Sequence, residues 1–447
     1  MKKAFRILIT AAVMSTALAA TAFADGWTTE NNQWVYYSGG SKVYNTWKTD
    51  SNGLYYYLGS DGYMATSKFV DGERYVESDG HMITSTWRQI DGKWYFFDSN
   101  GKIISDKTKQ VNGTYYYFDY DGSMLTGWVN GSDGYWYYCD PSDGHMAVSS
   151  WKYLAPDDSM TLPDDESTAT GEYWYYFTSN GKMAMATDTD YKEYTINSKR
   201  YAFDSAGRMA TGWAKLSSTT PAIAGYKYYN DDTSIGEFGV AHTGWLSTEP
   251  PEEDGFSQEV LWFYFGSNGY PYYGTDVSSV NDDDETLVAK LKRLTKNGVT
   301  NSYLFNEFGN PVYGLRKVRR TNGEVTSMYF GTKTECCLQL GEKNITDADG
   351  TTSAFLFTTG GYGINGVKNN KLYYMGKLQK ATDDTYAYFT VNGTTYLVNK
   401  TGTLAKNHNK TKDGDEVDYK SDANGIRNGG TEPESELDVP AFQNTDD

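Results

Sequence analysis

The sequence predicts an all-β protein, a β-solenoid of stacked β-hairpin repeats of about twenty residues each, more divergent toward the C-terminus. Three observations carry this prediction. A unit rich in aromatic residues recurs along the chain from residue 26 onward. Each copy couples a run of strand-forming residues to an Asn-Gly or Asp-Gly turn signal. The composition agrees: 40 Tyr, 19 Phe, 12 Trp and 46 Gly, with only 38% hydrophobic residues, supply strands and turns but little aliphatic material for one large core.

The chain opens with an export leader, residues 1–24. Lys2, Lys3 and Arg6 form a positive start, residues 7–20 an apolar stretch, and Ala22, Phe23 and Ala24 an A-x-A cleavage site. The apolar stretch is too short to span a bilayer, so no membrane insertion is expected. The formal net charge is −18, which disfavours nucleic acid as a partner because phosphate contacts need a basic surface. Of the three cysteines, Cys336 and Cys337 are adjacent, so no disulfide framework is expected and the thiols only fill space.

Residues 25–275 carry the aromatic repeats. One copy runs from Trp87 through Trp94, Tyr95, Phe96 and Phe97 to Asn100 and Gly101; the next runs from Gln110 through Tyr115 and Phe118 to Gly122 and Met124. A third passes through Trp128, Trp136, Tyr137, Tyr138 and Cys139 to Gly144 and Met146. The aromatic runs have strong strand propensity on both alternating faces, and Asn100-Gly101, Asp121-Gly122 and Asn180-Gly181 supply tight turns. An isolated hairpin is marginal in water, so the units must stack on one another.

The pattern of Thr126, Gly127 and Trp128, then Gly134, Trp136, Tyr137 and Tyr138, then Asp143, Gly144 and Met146, resembles the Gram-positive cell-wall-binding repeat, also called the choline-binding repeat. It is similar as well to the glucan-binding repeats of oral glucosyltransferases and to the repetitive ends of clostridial toxins. The resemblance implies non-catalytic attachment to choline-substituted teichoic acid or to a glucan, at sites between consecutive repeats. Each site would combine the Trp after Thr-Gly, the Trp opening the aromatic strand, and an aromatic of the next repeat.

Carried onto this chain, the first position is Trp128, Trp213 and Trp245, each after Thr-Gly; Trp27 follows Gly26 alone, and Trp47, Trp87 and Trp151 lack the glycine. The strand-opening position is Trp34, Trp94, Trp136, Trp174 and Trp262, replaced by Tyr55, Tyr75 and Tyr115 elsewhere. Tyr56, Tyr116 and Tyr137 are candidates for the third member. The chemistry is independent of the resemblance. A quaternary ammonium cannot donate hydrogen bonds and is held by π-faces, at about 2 kcal/mol for a desolvated contact. A sugar ring lies flat on an aromatic but also needs polar partners. Packing is the competing role for these aromatics.

Residues 276–412 read as divergent hairpin repeats without tryptophan, and 413–447 as an acidic, disordered tail. The acidic loops at 157–166, 249–254 and 281–285 read as solvated insertions, and the basic clusters at 290–293 and 316–320 as solvent faces of strands. No pair of carboxylates, nucleophile with a base, or ligand spacing for a metal stands out, so neither catalysis nor a cofactor is expected. His81 and His145 occupy one repeat position that also accepts Tyr, Lys, Ser and Arg, which marks a surface turn. The expected protein is secreted and wall-associated; an adhesin or toxin-like scaffold binding a host glycan or protein is the alternative.

Overall fold

The computed structural model describes residues 25–163, 171–187, 190–253, 255–257, 259–274, 286–382, 385–412 and 417–443. The expected leader, the insertion at 281–285 and part of the loops at 157–166 and 249–254 lie outside them. The described chain is all-β apart from one 3-10 turn at Ala222–Gly225. No helix among the described residues is long and apolar enough to cross a membrane. Two compact units are present, Met1–Lys152 with Tyr176–Met183, and Tyr153–Tyr175 with Ala184–Asp447.

In the first unit, antiparallel hairpins follow one another: Thr46–Thr49 with Tyr55–Leu58, Lys68–Val70 with Arg74–Val76, Thr86–Ile90 with Lys93–Phe97, Lys107–Val111 with Thr114–Phe118, and Gly127–Asn130 with Trp136–Cys139. The first, Gly26–Glu30 with Gln33–Ser38, gains a short third strand at Ser41–Lys42. In the hairpins at 86–97 and 107–118 the turn between the strands is the dipeptide before the aromatic run. Asp91 and Gly92 (φ 49° and 82°), like Asn112 and Gly113 (φ 50° and 88°), both take the left-handed region that a two-residue turn with the strands' own twist requires.

The dipeptides after the aromatic run do something else. Asn100-Gly101 returns the chain so that Ile103 bridges Phe97, and the same return places Met64 on Leu58, Met82 on Val76 and Met124 on Phe118. The returning residue then joins its hairpin to the one before: Met64 N–H donates to the Trp34 carbonyl at 2.8 Å, Met82 to Tyr55 at 2.8 Å, Met124 to Trp94 at 2.7 Å, Met146 to Tyr115 at 2.8 Å and Met183 to Trp136 at 2.8 Å. One backbone bond per repeat thus sets the stacking. The last residue of each aromatic strand, Leu58, Val76, Phe97, Phe118, Cys139 and Phe177, is completely buried. Cys139 fills the place taken by phenylalanine in its neighbours, and burial pushes its thiol up to about 12. All three cysteines are free.

The second unit repeats the hairpin at Tyr191–Ile196 with Lys199–Asp204, Gly212–Lys215 with Tyr226–Tyr229, Gly244–Thr248 with Leu261–Phe265, Lys292–Lys296 with Val299–Tyr303 and Tyr386–Val391 with Thr394–Asn399. It also departs from the simple array. Thr286–Val288 runs parallel to Leu315–Arg319, and five strands between Gly341 and Leu378 form one sheet.

The region expected to be a disordered tail is ordered over 417–443. Val417–Ser421 and Arg427–Gly430 pair in a three-stranded sheet with Asn409–Lys412. The segment beyond returns to the fold: Asp438 accepts from the buried Lys377 ammonium at 2.8 Å, Glu434 from the Thr390 hydroxyl at 2.6 Å, and the Gln443 side chain from the Leu315 N–H at 2.8 Å. Acidic composition suggested a solvated tail, but its polar groups find partners in the fold, the buried Lys377 among them, and Leu437 packs on the cluster of Leu372, Phe389 and Val398. Arg316 likewise departs from the expected solvent face: it is buried, donating to the Tyr313 carbonyl at 2.8 Å and the Gln443 carbonyl at 2.6 Å.

Candidate ligand-binding surface

Register decides which aromatics meet. In the hairpin at 127–139, Trp128 pairs across the ladder with Tyr138 and Asn130 with Trp136. Residues two apart share a face, so Trp128 and Trp136 stand diagonally on one surface. Their ring centroids are 6.2 Å apart at 89°, and Phe177 of the following repeat stands 5.8 Å from Trp128. The hairpin at 244–265 repeats this geometry: Trp245 and Trp262 are 6.3 Å apart at 80°, and Tyr303 of the next hairpin is 4.8 Å from Trp245.

The remaining tryptophans keep part of the arrangement. Trp27 meets Tyr36 of its own hairpin at 5.3 Å and Tyr56 of the next at 5.4 Å. Trp87 meets Phe96 at 5.3 Å and Tyr116 at 4.8 Å. Trp213 stands 5.0 Å from Phe263. Trp47 rests on Tyr57 and Trp151 on Tyr176, while Trp174 lies beside Tyr153. Tyr137 is in the core instead, its hydroxyl donating to Asp133. Phe177, Phe263 and Tyr303 were not singled out as site members from sequence, although the first two sit in aromatic strand runs and Tyr303 ends a strand otherwise without aromatics; which strand position faces the preceding repeat depends on the stacking register.

The two tryptophan positions differ in burial. Trp34, Trp94, Trp174 and Trp262, which open the aromatic strands, are exposed, at 43%, 43%, 39% and 38%. The first-position tryptophans are half-buried, and several are tied to the next repeat by the indole N–H. Trp27 donates to the Thr49 carbonyl at 3.3 Å, Trp47 to the Asp71 carboxylate at 3.1 Å, Trp213 to the Glu249 carbonyl at 2.8 Å and Trp245 to the Thr295 carbonyl at 3.0 Å. These side chains hold neighbouring hairpins together as well as presenting a π-face.

The glycine before the first tryptophan is dispensable for a local reason. Gly127, Gly212 and Gly244 take positive φ immediately before Trp128, Trp213 and Trp245; where the glycine is missing, Asn45, Ser85 and Ser149 take positive φ one residue earlier. Among the described residues no cluster of His, Cys, Asp and Glu is arranged to hold a metal ion.

The fold and this surface define a protein of stacked aromatic hairpins with one recurring π-lined site geometry. Residues 41–81 and the overlapping segments 83–120 and 106–151 match the choline-binding repeat, and 170–183 the putative cell wall binding repeat, so these stretches belong to the choline-binding, cell-wall-binding repeat family. Among solved structures, the modular autolysin LytC of Streptococcus pneumoniae is 19% identical, over 65% of this chain and 54% of its own, with a TM-score of 0.35. The chain thus spans about half the length of that autolysin. The choline-binding domain of CbpL from Streptococcus pneumoniae is 27% identical, over 42% of this chain and 98% of its own, with a TM-score of 0.27. Choline binding protein F from Streptococcus pneumoniae, with a peptidoglycan analogue, is 19% identical, over 92% and 99%, with a TM-score of 0.26. All three superpositions are loose. A comparison with curated protein sequences finds no match.

Proposed function

We propose that this chain is a secreted, non-catalytic β-solenoid that attaches to a bacterial cell-wall polymer through aromatic sites between its repeats. The ligand group is the choline of a substituted teichoic acid, with a glucan as the other polymer its π-faces could take. The observation that carries this reading is the recurrence of one arrangement: two perpendicular tryptophans with an aromatic of the following repeat, at Trp128, Trp136 and Phe177 and again at Trp245, Trp262 and Tyr303. Perpendicular π-faces a little over 6 Å apart offer a trimethylammonium group contact on more than one side. A single site is weak, on the order of 2 kcal/mol per desolvated contact. Several sites on one chain facing a polymer that repeats its ligand make attachment tight.

The acidic balance of the chain suits a cationic ligand group and not a free phosphate. The test is retention of the mature protein on choline-bearing cell walls, with free choline and soluble glucan as competitors. Release by choline, and weaker retention of a Trp128→Ala, Trp136→Ala variant, is the expected result. Retention unchanged by choline and by that variant would overturn the proposal and leave the adhesin or scaffold reading.

A further inference from the structure

The Trp245–Trp262 pair has a cation of the chain's own over its rings. In the hairpin after Trp245 and Trp262, the strand Lys292–Lys296 ends at the turn Asn297-Gly298. The Lys296 ammonium sits 3.5 Å from the centroid of the Trp262 ring and 5.0 Å from that of Trp245. Among the described residues no carboxylate lies within 4.0 Å of it. Its positive charge therefore lies over two indole faces, with the buried Cys336 and Cys337 thiols close by.

The repeat pattern shows how a lysine comes to be there. The residue just before the hairpin turn is Val70 before Asp71-Gly72, Ile90 before Asp91-Gly92, Val111 before Asn112-Gly113, Ile196 before Asn197-Ser198 and Val391 before Asn392-Gly393. Val70, Val111, Ile196 and Val391 are buried, and Val70 belongs to the cluster with Ala65 and Val76 against which Trp47 of the preceding repeat packs. Position 296 thus faces the preceding repeat's first tryptophan in the ordinary way. A lysine at this place lays its aliphatic stem where the branched side chain would go and carries its ammonium beyond, over the exposed Trp262.

We infer that Lys296 is an intramolecular ligand of the Trp245–Trp262 pair, a tethered cation standing where a free quaternary ammonium would otherwise sit. Lys296 is then the residue that sets which inter-repeat sites take ligand. The tether gives the ammonium a high effective concentration at that pair, so a soluble cation must displace it before binding. Burial lowers the pKa of this ammonium, in keeping with its partial withdrawal from water.

The inference rests on the reading of the tryptophan pairs as cation sites, and the experiment separates the two. Choline chloride is titrated calorimetrically into the full mature chain, into Lys296→Met, which keeps the length of the stem, into Lys296→Met with Trp262→Ala, and into Trp136→Ala. The expected result is one more choline site in Lys296→Met than in the unaltered chain, lost again in the double variant. An unchanged site number in Lys296→Met, while Trp136→Ala loses a site, would overturn the role of Lys296 and leave the cation reading standing.

If the unaltered chain takes up no choline, that reading fails, and the position of Lys296 is decided by the NMR spectrum of the reductively 13C-dimethylated protein. A lysine methyl signal displaced upfield by ring currents, absent from Lys296→Met and restored to the ordinary position in Trp262→Ala, supports the tethered cation. A Lys296 signal at the ordinary lysine position overturns it.

Discussion

Trp87 and Trp94 show how one residue type takes two roles a few residues apart. Trp87 is half-buried against Phe96, Tyr116 and Phe118, whereas Trp94 is 43% exposed. Trp87→Ala is expected to cost about 3 kcal/mol in urea unfolding of the first unit, the usual toll of truncating a packed aromatic. Trp94→Ala should stay within about 0.5 kcal/mol of the unaltered protein, while both weaken retention on choline-bearing walls. Gly101 presents a second residue-scale constraint. Its φ is 74°, and a Cβ placed there would stand 2.7 Å from the Met82 sulfur of the preceding repeat. Gly80 on Met64 and Gly122 on Ile103 repeat the contact, which explains why a turn glycine recurs with a flexible or branched apolar residue one repeat earlier. Gly101→Ala should cost about 1 to 2 kcal/mol, and Gly101→Asn no less, because asparagine tolerates the left-handed region but brings the same Cβ against Met82; urea midpoints of the two variants check this.

At the scale of the hairpin, the buried His242 gives the second unit a pH dependence. It follows the hairpin Gly212–Lys215 with Tyr226–Tyr229, its ring 5.4 Å from Phe265 and its Nδ1 2.8 Å from the Asn230 side-chain oxygen. Burial holds its pKa below the ordinary 6.5. The unfolded chain therefore binds the proton at a pH where the folded chain does not. The stability contributed by the neutral imidazole is complete above the unfolded value, declines as pH falls below it, and is gone below the folded value. The urea midpoint of the second unit should fall between pH values of about 7.5 and 5.5 more steeply than in His242→Gln; parallel slopes in the two proteins would remove His242 as the cause. The hairpins themselves need little from elsewhere. Asp91-Gly92 and Asn112-Gly113 close them with a two-residue turn whose twist matches the strands.

At the scale of the whole molecule, the segment after Gly430 makes contacts that an array of hairpins does not supply. Lys377 is buried between Asp347 at 3.1 Å and Asp438 at 2.8 Å, and Gln443 caps the strand beginning at Leu315. Removing residues 431–447 leaves the Lys377 ammonium one carboxylate short and exposes the apolar surface under Leu437. The truncated protein should lose about 3 kcal/mol in the second unit, chiefly from uncovering the packed surface under Leu437, with unfolding of the first unit unchanged. Two calorimetric transitions, of which only one moves on truncation, would bear this out; a common shift of both, or none, would not.

The repeat period, the hairpins, the positions of the tryptophans and the turn dipeptides were all legible in the sequence because each follows from a local rule. Alternation along a strand, positive φ at glycine or asparagine, and strand propensity act within one unit, and repetition makes a weak signal strong. The choice of hairpin turn was not so plain: Asn100-Gly101 carries the same signal as Asp91-Gly92, and only pairing shows that the first returns the chain to the neighbouring repeat. Long-range contacts decided the rest. The stacking register selected Phe177 and Tyr303 as the aromatics facing Trp128 and Trp245. It carried Lys296 onto Trp262. A buried ammonium helped order a segment whose composition reads as solvated, because Lys377 needs the Asp438 carboxylate as a partner and water cannot take its place. Local patterns determine which hairpins form; the partner brought from far along the chain determines what each exposed aromatic faces.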